Sequence, residues 1–174
     1  MKYQQYICEI CGEPYLGVGA PSRCPFCGAF GVRIVEAEKW EPLWGGEISE
    51  AARTHLEAAL QLEVGNTNFY RNVSKAPGVV QDQKMFKALS KIEREHAEVI
   101  VRFLGAAMPD FESLETEADK ARETIEENLA ESHARETRAI NAYKLAFSEV
   151  EDEKVKLFFG ELIKIESDHL SLSE

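Results

Sequence analysis

The chain has 174 residues and a formal net charge of −11, enough for one ordinary domain plus something small, with a sizeable core. So acidic a chain argues against a nucleic-acid partner or an anionic membrane surface. No apolar run reaches transmembrane length, and Met1-Lys2-Tyr3-Gln4-Gln5 lacks the apolar core of a signal peptide, so the expected setting is soluble and cytoplasmic.

Residues 1–38 carry Cys8-Glu9-Ile10-Cys11-Gly12 and Cys24-Pro25-Phe26-Cys27-Gly28. In a reducing compartment, four closely spaced cysteines point to a metal rather than to disulfides. Each Cys-x-x-Cys-Gly can form a turn that aims two thiolates at one ion while backbone N–H groups face the sulfurs. The glycine permits the left-handed backbone that closes such a turn. Two matched pairs predict a tetrahedral four-sulfur site for iron or zinc; a redox disulfide is the rival reading. So small a module has little core and needs its metal to stay folded. Val32-Arg33-Ile34-Val35 reads as a short strand closing it. Residues 39–48 read as a linker whose Trp40 and Trp44 pack at a domain or subunit junction, and Ser49 is a suitable N-cap for a helix beginning there.

Residues 49–174 read as four helices. The first runs from Ser49 to Ala76, with Leu56, Ala59, Leu60 and Tyr70 on the stripe that carries Glu63. Pro77-Gly78 stops it. The second runs from Val80 to Leu104 and ends at Gly105, with Met85, Phe86, Leu89, Ile92, Val99, Ile100 and Phe103 on its apolar face. Thr116 with Asp119 resembles a capping pair opening a third helix that reaches Glu149. The fourth spans about Asp152 to Leu172, and Gly160 within it marks a place of close helix packing. His55 reads as a surface or packing residue, and Asn68 and Asn141 carry no predicted chemistry.

The helices repeat. Adding 73 to a residue number carries Glu63 to Glu136, Asn68 to Asn141, Tyr70 to Tyr143, Phe86 to Phe159, Glu93 to Glu166 and His96 to His169. Each half therefore supplies one Glu from its first helix and a Glu-x-x-His step from its second. Residues three apart share a helix face, so a carboxylate and an imidazole can hold one ion together. Four buried carboxylates without cations would repel one another, and two divalent ions cancel their charge. Oxygen-rich ligation with one imidazole per ion suits iron or manganese better than copper or structural zinc. Two solvated acidic faces with stray histidines are the bland alternative, which the matched register opposes. Tyr70 and Tyr143, seven residues after a ligand Glu, are hydrogen-bond donors or radical traps beside the site, or ordinary bundle core. His133, one turn before Glu136, is an extra ligand or proton relay in one reading and a packed histidine in the other.

The connection between the halves sets a puzzle. Two pseudo-twofold hairpins require their link to climb the bundle, roughly 45 Å if helices reach from His96 to Gly105 and from Thr116 to Glu136. The link then offers only about eleven residues, or roughly 37 Å fully extended. Either the start of the third helix is unwound, or each site takes one hairpin from each chain of a swapped homodimer.

Together these motifs resemble the rubrerythrin family in reversed order. The module from Tyr6 to Gly28 is similar to its rubredoxin-like domain, and the helices to its ferritin-like di-iron four-helix bundle, a mainly α architecture. The resemblance implies reduction of hydrogen peroxide, and in some members dioxygen. One iron would take Glu63, Glu93 and His96, and the other Glu136, Glu166 and His169. Glu93 and Glu166 would bridge them. The iron at Cys8, Cys11, Cys24 and Cys27 would return electrons from a rubredoxin-type or NAD(P)H-linked reductase. One departure stands out. The family carries a further glutamate one turn after the third-helix ligand, and this chain has Ala139 there. The resulting symmetric set is also that of a ferroxidase or iron-storage protein, the alternative reading. A non-enzymatic electron carrier or interaction module is a third.

Overall fold

A computed structural model describes residues 2–173. The N-terminal module is a three-stranded antiparallel sheet of β1 (Gln4–Cys8), β2 (Pro14–Gly17) and β3 (Ile34–Glu36), in the order β2-β1-β3. The predicted closing strand is present but shifted, because Gly31–Arg33 forms a 3-10 turn first. Both Cys-x-x-Cys-Gly turns close as their glycines allow. Gly12 and Gly28 have φ of 77° and 79°, and their N–H groups reach the carbonyls of Cys8 and Cys24 at 2.8 and 3.0 Å.

Four helices complete the chain: α1 (Glu50–Lys75), α2 (Val80–Leu104), α3 (Ile125–Glu149) and α4 (Glu153–Ser171). Ser49 caps α1 as expected, accepting from the Ala52 N–H, and its hydroxyl also donates to Asp152 at the start of α4. Gly105 closes α2 in the left-handed conformation at φ 61°. A Cβ on Gly160 would stand 3.1 Å from the Phe147 ring, which is the close α3–α4 approach that its presence predicted.

The third helix departs from expectation. Thr116 and Asp119 do form a reciprocal capping box, but it caps only a 3-10 turn at Glu117–Asp119. A second box, Thr124 with Glu127, opens α3 at Ile125. The unwound stretch solves the climb: about 20 residues, extending to roughly 66 Å, now cover a rise of about 30 Å. Side chains of α1 hold this crossover along its length. Asn68 Nδ2 donates to the Phe111 carbonyl at 2.7 Å, Arg71 pairs with Glu115 at 2.8 Å, and Asn72 Nδ2 donates to the Asp119 carbonyl at 3.0 Å. The Asp119 carboxylate meets Arg135 of α3 at 3.1 Å, both groups buried. Asn68 thus has a structural task that its place in the repeat did not disclose. Both hairpins of the one chain pack into the same four helices, and their ligands come together within it.

The module and the bundle share one apolar core. Ile10 and Ala29 of the module are fully buried in the same cluster as Val99, Ile100 and Phe103 of α2 and Phe158 and Ile165 of α4. The two tryptophans pack at this junction, as expected. Trp44 lies against Gly12 and under the Arg102 guanidinium, with Trp40 tilted beside it. No described helix is long and apolar enough to cross a membrane.

Candidate metal centres

The four cysteines are buried, with their sulfurs gathered within 4.8 Å of one another. Cys8–Cys27 and Cys11–Cys24 sulfurs are both 3.7 Å apart. Four sulfurs held tetrahedrally at about 2.3 Å from one ion would sit about 3.8 Å apart, so the spacing fits a single ion. It is far too long for a disulfide, and all four thiols are free. Hydrogen bonding among the sulfurs drives Cys11 above the ordinary thiol range and Cys24 below it.

In the bundle, Glu63, Glu93, His96 and Glu166 form one buried group, and Glu93, Glu136, Glu166 and His169 another. Glu93 and Glu166 belong to both. His96 Nδ1 lies 3.6, 3.4 and 3.2 Å from oxygens of Glu63, Glu93 and Glu166, and His169 Nδ1 lies 3.1 and 2.8 Å from Glu93 and Glu166. The two imidazole planes are nearly parallel, with centroids 6.4 Å apart. The two Glu-x-x-His steps face each other because α2 and α4 run antiparallel: His96 meets Glu166 while His169 meets Glu93.

Burial makes this arrangement untenable without positive charge. It pushes Glu63 and Glu136 well above the carboxylate range, and the charge of Glu93 adds to the shift. For His96 and His169 burial favours the neutral ring, but surrounding carboxylates outweigh it and raise both, Glu63 and Glu166 around His96 and Glu166 and Glu93 around His169. The oxygens and nitrogens that point inward lack hydrogen-bond partners: both oxygens of Glu93 and of Glu166, one each of Glu63 and Glu136, and Nδ1 of both histidines. Buried polar atoms are nearly always paired. Eight orphaned donor atoms converging on one spot are the signature of cations, so the residues present fit a dinuclear centre.

The two tyrosines serve the centre reciprocally. Tyr143 donates to Glu63 at 2.5 Å, and Tyr70 donates to Glu136 while also meeting Ser132 Oγ at 3.1 Å. Each carboxylate is thus held by the tyrosine of the other half. The pairing follows from antiparallel α1 and α3: the step from Glu63 on to Tyr70 along one helix matches the step from Tyr143 back to Glu136 along the other. Ser132 escaped notice in the sequence because its repeat partner is Ala59, which carries no hydroxyl.

His133 is a correction. It is exposed on α3 and belongs to neither group. The inward stripe of α3 runs through Ser132, Glu136, Ala139 and Tyr143, and residue 133 lies about 100° around the helix from Ser132. Its Leu60 counterpart is half-buried, so the repeat does not extend to that position. His55, half-buried, bonds Glu149 at 2.8 Å and takes no part in the centre.

One contact joins the two centres, and neither motif disclosed it. His96 Nε2 lies 2.9 Å from the carbonyl oxygen of Cys27. A ring N–H donated there fixes the tautomer and turns the Nδ1 lone pair toward the carboxylates.

Comparison with known proteins agrees with this geometry. Residues 54–173 match the family model for rubrerythrin, which spans all four helices from the second turn of α1. No curated protein matches the chain.

Proposed function

The chain belongs to the rubrerythrin family, and within it we propose that the protein reduces hydrogen peroxide at the dinuclear centre with electrons relayed through the four-cysteine site. Members of that family carry iron in the bundle and are generally oxidoreductases. The observation that carries the reading is the Cys27–His96 hydrogen bond: a path of covalent bonds and one 2.9 Å contact joins a thiolate ligand to an imidazole of the other site. A storage protein has no need of that link.

Glu63 with His96 would hold one ion, Glu136 with His169 the other, and Glu93 and Glu166 would span both. When bound, a redox-active pair supplies the two electrons that break the O–O bond, with two protons and peroxide giving two waters. The chain's own groups prepare this. Tyr143 and Tyr70 donate to one oxygen of Glu63 and Glu136 and leave the second oxygen facing inward. Phe86 and Phe159 pack beside Tyr70 and Tyr143 and keep bulk water from their hydroxyls. The buried thiolate site is closed on four sides, so it suits electron transfer rather than direct reaction with oxygen species.

A second reading, ferroxidase or iron storage, draws on the symmetric ligand set and on Ala139, which is buried where the family carries a further glutamate. Steady-state peroxide consumption by iron-loaded protein with NAD(P)H and a rubredoxin-type reductase separates the two. Turnover that disappears in Cys11→Ser supports the peroxidase. Uptake of iron far beyond two ions per bundle without turnover overturns it.

A further inference from the structure

Helix α4 presents two stripes. Phe159, Leu162, Glu166 and His169 face the bundle; Glu161, Lys164, Ile165 and Asp168 face the N-terminal module. On the second stripe Glu161 stands out, a carboxylate only 2% exposed. Its Oε1 takes Lys164 Nζ at 2.6 Å and Arg33 Nε at 3.4 Å, and its Oε2 has no hydrogen-bond partner. Its counterpart in the first half is the exposed Ala88, so nothing in the repeat requires an acid here.

We propose that Glu161 and Arg33 are positioning residues, forming the polar key that seats the four-cysteine module on α2 and α4 of its own chain so that the Cys27 carbonyl meets His96. This rests on the peroxidase reading only for its consequence; the seating itself is independent of it. Lys164 sits on the same helix as Glu161 and stays beside it whether or not the module is seated. Arg33 alone ties that carboxylate to the module, six residues after Cys27. The other contacts fix position less sharply. Gly28 packs on Ile165 through apolar contact, which tolerates sliding. Arg23 and Asp168 pair at 2.5 Å but are 38% and 51% exposed, a weak bond. Arg102 donates to the Cys11 carbonyl at 2.5 Å, and Arg33, whose own carbonyl takes the Glu9 N–H at 2.7 Å, ties the same rigid module to α4.

Burying a charge is costly, and an ion pair recovers that cost only in good geometry, so a buried pair sets register more than it adds stability. The singles are therefore unequal. Arg33→Leu strands a buried carboxylate with only Lys164, so the seated state should lose on the order of tenfold in population. Glu161→Leu leaves Arg33 29% exposed and still beside Glu9 at 3.6 Å, so its effect should be about threefold or less. The double variant removes the stranded charge and should return to within about threefold of the parent.

Two readouts test this. In protein loaded with zinc at both sites, nuclear magnetic resonance follows solvent exchange of the His96 ring N–H, which the Cys27 carbonyl protects only when the module is seated. In iron-loaded protein, stopped-flow absorbance follows peroxide-driven oxidation of the four-thiolate iron, whose midpoint potential is measured alongside. The expected result for Arg33→Leu is exchange on the order of tenfold faster and transfer slowed in parallel, with an unchanged potential showing that the module is intact. Arg33→Lys keeps the charge and should recover most of the loss. Arg33→Leu within twofold of the parent in both readouts overturns the proposal, as does a double variant worse than either single. Absence of peroxide-driven transfer in the parent, with the exchange pattern intact, supports the seating and sinks the peroxide reading alone.

Discussion

The two candidate metal centres of this chain are built by opposite strategies. The four-cysteine site is local: its ligands lie between residues 8 and 27, and two glycine-closed turns aim them. The dinuclear site draws on residues from 63 to 169, and only the packing register of four helices brings them together. A local site depends on its metal for its fold; a distributed site has a fold that positions ligands before any metal arrives. The two should therefore fail differently.

The largest effect is expected from Cys11→Ser. A structural metal contributes roughly 10–16 kcal/mol to so small a module. Its loss should empty the site and unfold residues 2–38, while circular dichroism shows the helices intact and metal analysis finds two ions still in the bundle. Loss of helicity in this variant would erase the contrast.

Glu93→Ala comes next. Glu93 belongs to both groups in the bundle, so the affinity for both ions should fall, each by about 100-fold or more, whereas losing a supporting partner of a ligand costs 10–100-fold. The four-thiolate absorbance should be untouched. Glu63→Ala, by contrast, should weaken one ion selectively, and Glu136→Ala the other.

Tyr143→Phe and Tyr70→Phe probe the support of the distributed site. Each leaves a buried carboxylate oxygen unpaired, at a cost of about 1–3 kcal/mol, or several degrees in Tm. The pseudo-twofold predicts similar losses for the two, and thermal unfolding of metal-loaded protein measures them. A loss confined to one tyrosine would show that the halves are not equivalent.

The smallest effect belongs to His133→Ala. The residue is exposed and outside both groups, so metal content should not change and stability should stay within about 0.5 kcal/mol.

Legibility in the sequence divides the same way. Spacing alone disclosed the four-cysteine site, since each motif contains its own geometry. The 73-residue repeat disclosed the grouping of Glu63, Glu93, His96, Glu136, Glu166 and His169 because the same residue types recur at matched positions. What breaks the repeat stayed hidden. Ser132, Glu161 and the Cys27 carbonyl have no counterparts, and each arises where the halves differ: at a single hydroxyl, at the docked module, at the backbone. The start of α3 was misplaced because Thr116 and Thr124 both open capping boxes, and only the climb of the crossover selects the second. His133 misled because one residue along a helix turns a side chain by about 100°.

The most direct measurement mixes fully reduced, iron-loaded protein with one equivalent of hydrogen peroxide and watches the ferric four-thiolate absorbance. Electron relay between the centres predicts that this band appears as peroxide disappears, and that it fails to appear promptly in Glu93→Ala. A four-thiolate iron that stays reduced while the dinuclear site turns over peroxide would contradict the relay, and with it the role assigned to the Cys27–His96 bond.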